Sequence, residues 1–186
     1  MERIALAIDI PFTVGGGIGS ADDAARLLDS GADKISVNSA AIARPELIGE
    51  IASRYGSQFV VCAIDAKFLD GQWRVCTHGG SRLTDRELFS WAREARERGA
   101  GEILFTSMDH DGTCDGYACE QYAALASMLD IPIIASGGAG SVDNIAEVLT
   151  AGRADAALAA SIFHYGRIRI PELKRTLMQQ GINVRL

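Results

Sequence analysis

A segment that occurs twice in this chain limits its possible folds more than any other feature. Residues 9–20 read DIPFTVGGGIGS, and residues 130–141 read DIPIIASGGAGS, at an offset of 121 residues. Each copy continues into a helical pattern with a matched aspartate, Asp22 or Asp143. Each then reaches a second apolar segment through an Ala-Asp pair, Ala32-Asp33 or Ala154-Asp155, and that segment ends in Ser39 or Ser161. A chance match of this length is improbable, so the fold should contain two related parts.

Short apolar segments alternate with amphipathic segments along the whole chain, which indicates strand–helix units. The predicted strands are 11–14, 34–37, 59–65, 102–106, 131–136 and 156–160, and the predicted helices are 20–29, 45–55, 84–97, 120–129, 142–150 and 171–179. Ser20, Thr84 and Ser141 are the predicted N-caps. Residues 67–83 include Asp70-Gly71, which predicts a tight turn within a small hairpin. Six units in series predict a parallel α/β fold but leave a doubly wound sheet and a barrel both open.

The repeat favours the barrel. Four units lie between the two copies, so two such halves give eight units and about 242 residues, close to the size of a (βα)8 barrel, or TIM barrel. We therefore predict one domain over residues 1–186, a barrel with an internal half-barrel repeat. The six units match the last two of one half and all four of the next, and residues 1–7 resemble the end of a helix. We expect a barrel truncated at its N-terminus by about two units, whose open parallel edges favour self-association.

The repeated glycine loops predict phosphate binding. Gly15-Gly16-Gly17 and Ser136-Gly137-Gly138 follow strands and precede helices, where backbone N–H groups and the helix dipole favour an anion. The next strand of each copy ends in small polar residues, Asn38-Ser39 or Ala160-Ser161, which can complete each site. Tight turns without a ligand are the alternative. Two equivalent sites at one barrel mouth predict an elongated substrate with a phosphate at each end.

Two acidic positions are candidates for chemistry at the same strand ends. Asp65 ends the apolar strand 59–65, the position of a general acid or base, although a structural aspartate is the alternative. Asp111 and Gly112 follow the strand 102–106 and are placed to contact substrate hydroxyls or phosphate. His110 is interpreted as a loop residue, and His78 and His164 are interpreted as structural.

Composition excludes several other classes of function. The formal net charge is −6 without a basic cluster, which argues against nucleic-acid binding. No apolar run reaches the length of a membrane span, and residues 1–4 lack the layout of a signal peptide. The four cysteines form no metal-binding spacing and predict reduced thiols. We expect a cytoplasmic protein without a metal or another cofactor.

Taken together, these residues resemble the cyclase subunits of imidazole glycerol phosphate synthase, from histidine biosynthesis. The most specific stretches are 12–18, 31–41, 60–67, 99–117, 131–140 and 154–163, with 181–185 at the end. The resemblance implies that ammonia and a bisphosphate aminoimidazole-carboxamide ribotide give imidazole glycerol phosphate and the aminoimidazole ribotide. It also implies a glutaminase partner that supplies the ammonia through the barrel interior.

The resemblance implies a role for each matching residue. Asp65 matches one of two catalytic aspartates. Gly17, Asn38 and Ser39 match one phosphate site, and Gly112, Gly138, Ala160 and Ser161 match the other, with Asp111 nearby. Lys34 and Glu102 match members of a charged ring at the ammonia entrance.

The chain also departs from the pattern of these cyclases. The other catalytic aspartate and a substrate-loop lysine belong to the first strand and its loop, which we expect to precede Met1, so little cyclase activity is expected of the 186 residues alone. His110 stands where an arginine is usual, and Cys114 where a lysine is usual. Two alternatives remain: the sister isomerase that makes the cyclase's substrate, and a barrel remnant that binds a ligand or partner without turnover.

Overall fold

The fold is an alternation of strands and helices, seen in a computed structural model that describes residues 2–185. The strands are β1 (Thr13–Gly15), β2 (Lys34–Val37), β3 (Val60–Leu69), β4 (Gln72–Thr77), β5 (Arg82–Glu87), β6 (Glu102–Ser107), β7 (Ile133–Ser136) and β8 (Ala156–Ala157). The helices are α1 (Glu2–Ala5), α2 (Ala21–Asp29), α3 (Ser39–Ala43), α4 (Glu46–Tyr55), α5 (Leu88–Glu97), α6 (Cys119–Met128), α7 (Val142–Thr150), α8 (Ser161–His164) and α9 (Ile170–Gln179). The predicted helix end at residues 1–7 is confirmed by α1, while Met1 itself lies outside the described residues.

Six parallel strands form one curled sheet in the order β1-β2-β3-β6-β7-β8. This order follows the chain without a reversal, whereas a doubly wound sheet reverses its strand order near the middle. The sheet is therefore part of a (βα) barrel, as the repeat predicted. Within residues 2–185, β1 and β8 each have one neighbouring strand and form the two edges of the sheet.

The sheet's core strands are apolar on both faces because helices cover one side and the barrel interior the other. In β3, Val60, Val61 and Cys62 are all buried, with at most 1% of each residue exposed.

All four cysteines are free thiols. Burial raises the pKa of Cys62 to about 12, so this thiol stays protonated. Over the described part of the chain, none of the helices has both the length and the apolar character needed to cross a bilayer.

The sequence repeat is also a repeat of hydrogen bonds. Ser20 caps α2 by accepting from the N–H of Asp23, and Ser141 caps α7 in the same way with Asn144. The carboxylate of Asp33 accepts from the N–H of Phe12 at 2.7 Å. Its counterpart Asp155 accepts from the N–H of Ile133 at 2.8 Å. Asp33 and Asp155 therefore tie β2 and β8 to the start of the strand before each of them.

Two predictions about the segment between β3 and α5 have different outcomes. The hairpin is confirmed: β4 pairs antiparallel with β3, and Asp70 and Gly71 both have positive φ, as a two-residue hairpin turn requires. The predicted helix 84–97 is wrong at its start, because β5 occupies Arg82–Glu87 and α5 begins at Leu88. Thr84 is not the N-cap, since the carboxylate of Glu87 accepts from the N–H groups of Phe89 and Ser90.

The strand after α7 is shorter than predicted. The prediction placed it at 156–160, whereas only Ala156–Ala157 pair with β7. Ser161 then begins the short helix α8, and Ser39 begins the equivalent short helix α3 after β2, neither of which the sequence pattern revealed. These short helices turn the chain at the two positions where the repeat ends.

Candidate active site at the strand ends

Two cavities lie at the carboxyl ends of the parallel strands. The first has a volume of about 580 Å³ and lies between the loop after β1 and the residues after β2. Its lining includes the predicted Gly17, Asn38 and Ser39, together with Asp65. The structure therefore places one predicted phosphate site and the candidate acid or base in the same cavity.

The second cavity has a volume of about 170 Å³ and is built from the loops after β6, β7 and β8. All five residues predicted for this site contribute to its lining, and they are Asp111, Gly112, Gly138, Ala160 and Ser161. Cys114 also lines it. Sequence positions 50 residues apart are thus brought to one opening.

Both cavities offer backbone N–H groups to a ligand. Among the described residues, the N–H groups of residues 16–18 in the first cavity and 137–139 in the second have no acceptor. These triplets are equivalent under the repeat, and each precedes the N-terminus of a nine-residue helix, α2 or α7. None of the described residues that line either cavity is Lys or Arg. An anion bound there would be held by peptide dipoles and helix dipoles.

Asp65 lies on β3 and is joined to Asn38 at the end of β2. The side-chain amide of Asn38 donates to the Asp65 carboxylate at 3.1 Å, while its own Oδ1 is buried without a hydrogen-bond donor in the described structure. Burial raises the pKa of Asp65 above its usual value, the bond from Asn38 opposes that rise, and the charge of Asp111 adds to it. A half-buried carboxyl with a raised pKa is a candidate for general acid or base chemistry.

The tip of the β4–β5 hairpin reaches the first cavity, which sequence reasoning missed. The N–H of His78 donates to the Ser39 hydroxyl at 3.0 Å, and Gly79 lines the cavity. This bond occupies an acceptor site of the Ser39 oxygen and leaves its O–H free to donate to a ligand. His78 was interpreted as structural because no sequence neighbour suggested a role. The contact spans 39 residues and leaves no local signal.

The loop after β6 is held by two contacts from the residues that directly precede Asp111. The carboxylate of Asp109 accepts from the N–H of Phe68 at 2.7 Å, which joins the loop to the end of β3. The ring of His110 is 2.7 Å from the hydroxyl of Ser107, a fully buried residue. His110 therefore packs beneath the loop, consistent with its interpretation as a loop residue, and Asp111 is exposed at the cavity.

Lys34 and Glu102 form an ion pair at the amino ends of the strands, away from the two cavities. Lys34 opens β2 and Glu102 opens β6, and the two side chains meet across the start of β3. Both are largely buried, with 28% and 16% of the side chain exposed. Residues 2–185 contain no group of three or more His, Cys, Asp and Glu side chains placed to hold a metal ion.

The chain is similar to known proteins over its whole length. A family model described as "Histidine biosynthesis protein" matches residues 1–169. The chain is 58% identical over 185 residues to imidazole glycerol phosphate synthase subunit HisF of Bacteroides fragilis strain YCH46. It is 55% identical to the subunit of the same name from Flavobacterium johnsoniae and 52% identical to that from Cytophaga hutchinsonii. Each match covers 100% of this chain and 74% of the relative.

These relatives carry the name of the cyclase subunit, so the sister isomerase is not favoured. A subunit of this synthase works with a partner subunit. The part-barrel of βα units, the internal repeat and the identity across the whole chain lead to one assignment. The chain belongs to the histidine-biosynthesis family of (βα) barrels and, within it, to the cyclase subunits of imidazole glycerol phosphate synthase.

Proposed function

We propose that the two cavities hold the two phosphate groups of one substrate, with Asp65 between them as the proton-transferring group. The observation that carries the proposal is the repeat-related pair of N–H triplets, residues 16–18 and 137–139, at one end of the sheet. Asp65 lines the first cavity and Asp111 the second, and the charge of Asp111 influences the pKa of Asp65. In this proposal one elongated ligand engages both cavities.

The proposed reaction is that of the cyclases the chain resembles. Ammonia and the bisphosphate aminoimidazole-carboxamide ribotide give imidazole glycerol phosphate and the aminoimidazole ribotide. In our proposal Gly17 and Ser39 bind one phosphate, and Gly112, Gly138, Ala160 and Ser161 bind the other. Asn38 orients the Asp65 carboxyl, and Asp111 binds substrate hydroxyls.

Proton movement is the part of this reaction that the chain's own side chains supply. Attack by ammonia and closure of the imidazole ring both require protons to be taken up and released at the reacting atoms. Burial raises the pKa of the Asp65 carboxyl, which strengthens its affinity for the proton that it takes up and releases in the proposed reaction. A positioned general acid or base contributes on the order of 10²- to 10⁴-fold to the rate.

The ammonia is proposed to come from a glutaminase subunit at the opposite end of the barrel. Lys34 and Glu102 lie there, at the amino ends of β2 and β6, and their ion pair bridges the sheet's inner surface. In this proposal the pair lines the entrance through which ammonia reaches Asp65 along the barrel interior. The cytoplasm is the proposed location, as for other enzymes of amino-acid synthesis that use free phosphorylated intermediates.

A cyclase assay with ammonium ions in place of the glutaminase tests the assignment of Asp65. The substrate is supplied, and both products are separated by chromatography. Asp65→Asn should lower kcat at least about 100-fold. Asp70→Asn is the matched control, because Asp70 lies in the turn of the adjacent hairpin and should keep the wild-type rate.

The assay has two arms because the chain spans 74% of its relatives. One arm uses the 186-residue chain, and the other joins it to the part of the Bacteroides fragilis relative that the match does not cover. In an arm whose parent protein turns over the substrate, equal turnover of the Asp65→Asn variant would overturn the proposed role of Asp65. Phosphate binding without turnover in either arm would favour a ligand-binding remnant.

A further inference from the structure

The second cavity is formed by two separate segments that must be held at a fixed spacing. One is the glycine loop 136–139, and the other is the segment 158–161 that follows β8. β8 contributes only Ala156–Ala157 to the sheet, and the N–H of Leu158 makes the last hydrogen bond to β7, so residues 159–161 line the cavity beyond the ladder. Something other than the sheet must therefore set the position of Ala160 and Ser161.

Gly116 and Tyr117 contact both segments. The N–H of Gly116 donates to the carbonyl of Gly138 at 2.8 Å, and the hydroxyl of Tyr117 donates to the carbonyl of Leu158 at 2.9 Å. The N–H of Leu158 donates to the carbonyl oxygen of Ala135 in β7 at 2.8 Å. Both peptide groups of Leu158 are thus bonded, one to the sheet and one to Tyr117.

The surroundings of Tyr117 make this contact rigid. Only 6% of the residue is exposed, and its ring packs edge-on against Tyr122 with the ring centroids 6.4 Å apart. On the other side of the cavity, a Cβ at Gly138 would lie 1.9 Å from the carbonyl oxygen of Gly116, so the two backbones are in direct contact. Tyr117 itself is absent from the cavity lining in the described structure.

We infer that Tyr117 is a positioning residue for the second phosphate site. Its hydroxyl holds the Leu158 peptide, which aligns the N–H groups of Ala160 and Ser161 with those of the glycine loop. These two N–H groups have no acceptor among the described residues, as expected for donors reserved for an anion. This inference rests on the proposed phosphate binding in the second cavity. It adds a residue outside the cavity that determines the cavity's affinity.

Site-resolved phosphate titration of the full chain tests the inference without turnover. Inorganic phosphate is added to ¹⁵N-labelled protein, and the amide signals of the two cavities report binding separately: Gly17 and Ser39 for the first, Gly138 and Ser161 for the second. Tyr117→Phe should weaken binding in the second cavity about fivefold, the effect of one lost hydrogen bond, and leave the first unchanged. The first cavity is an internal control, because general destabilisation would affect both.

Two further variants complete the design. Tyr55→Phe removes the hydroxyl of a half-buried tyrosine whose ring packs on Phe59, and it should leave both affinities unchanged. Replacement of Tyr117 by para-aminophenylalanine returns a donor to the same position and should restore the second affinity. If Tyr117→Phe folds poorly, this variant decides, because a donor that fails to support second-cavity binding would contradict the inference.

The outcomes separate this inference from the proposed function. If the wild-type protein binds phosphate in both cavities and Tyr117→Phe leaves the second affinity unchanged, the inference is wrong and the proposed function stands. If phosphate does not shift the Gly138 and Ser161 signals of the wild-type protein, both are overturned for this cavity.

Discussion

The side-chain amide of Asn38 donates a 3.1 Å hydrogen bond to the carboxylate of Asp65, across the ends of the paired strands β2 and β3. This contact stabilises the ionised form of a carboxyl whose pKa is raised, first of all, by burial. These are the two largest of the effects that determine how readily Asp65 gives up its proton.

Removal of the amide should raise the pKa of Asp65 further. In Asn38→Ala the bond that opposes the effect of burial is lost, so the titration midpoint of Asp65 moves upward. The measurement is the pH dependence of the Asp65 side-chain carboxyl ¹³C shift in the ligand-free protein. Asn183→Ala, near the C-terminus, is the control. A midpoint equal to or below that of the wild-type protein would contradict the role given to Asn38.

Asp65 should destabilise the folded chain at neutral pH. Its folded-state pKa is raised above the value of about 3.9 expected when unfolded, so the folded state binds the proton more tightly. Its contribution to the free energy of unfolding is therefore most favourable at low pH. It declines as the pH rises from the unfolded-state pKa of Asp65 through its folded-state pKa. We expect Asp65→Asn to raise Tm by roughly one or two degrees at pH 7, with a smaller difference near pH 4. Thermal unfolding followed by circular dichroism at both pH values tests this, and a lower Tm at pH 7 would contradict it.

The two repeat-related glycines should respond differently to the same substitution. Gly17 and Gly138 both have positive φ, but a Cβ at Gly17 meets no atom within 4 Å, whereas one at Gly138 clashes with Gly116. Gly17→Ala should cost about 1 kcal/mol of backbone strain, and Gly138→Ala about 3 kcal/mol or more. Urea unfolding compares the two variants, and equal losses would show that the loops are not packed differently.

The ion pair between Lys34 and Glu102 should have a measurable coupling energy. Both side chains are partly buried, so screening by water is weaker than at the surface. A double-mutant cycle of unfolding free energies with Lys34→Met and Glu102→Gln should give about 1 kcal/mol. The control pair is Arg54 and Asp22, whose side chains are 57% and 81% exposed, for which a coupling near zero is expected. Equal couplings for both pairs would contradict the role of burial.

The features that could be predicted from the sequence are those with a local or periodic signal. The glycine loops and the caps Ser20 and Ser141 each follow from neighbouring residues, and the repeat supplied the barrel. The strand predicted to end at Asp65 continues to Leu69 in the structure, because residues 65–69 pair with β4. The start of α5 could not be predicted as reliably. Residues 82–87 are mostly polar, and only pairing with β4 makes them a strand.

The remaining parts of the site depend on contacts between distant residues. The bond between Asn38 and Asp65 spans 27 residues, and that between Tyr117 and Leu158 spans 41. Asn38 was assigned to a phosphate on its position alone, and the structure adds its bond to a carboxylate. Neither composition nor residue spacing predicts such pairs, because the two residues meet only once the sheet has curled.

A strand order that follows the chain order also affects the order in which parts of the chain fold. The first cavity uses residues between Gly16 and Gly79, and the second uses residues between Asp111 and Ser161, so neither draws on the other's segment. Contacts that close short loops form early, because they cost less chain entropy. Each cavity can thus take shape during synthesis as soon as its own segment has emerged. The approach of Asp111 to Asp65 requires only that β6 pairs with β3, so this part of the reaction centre can form before the residues after β8 complete the second cavity.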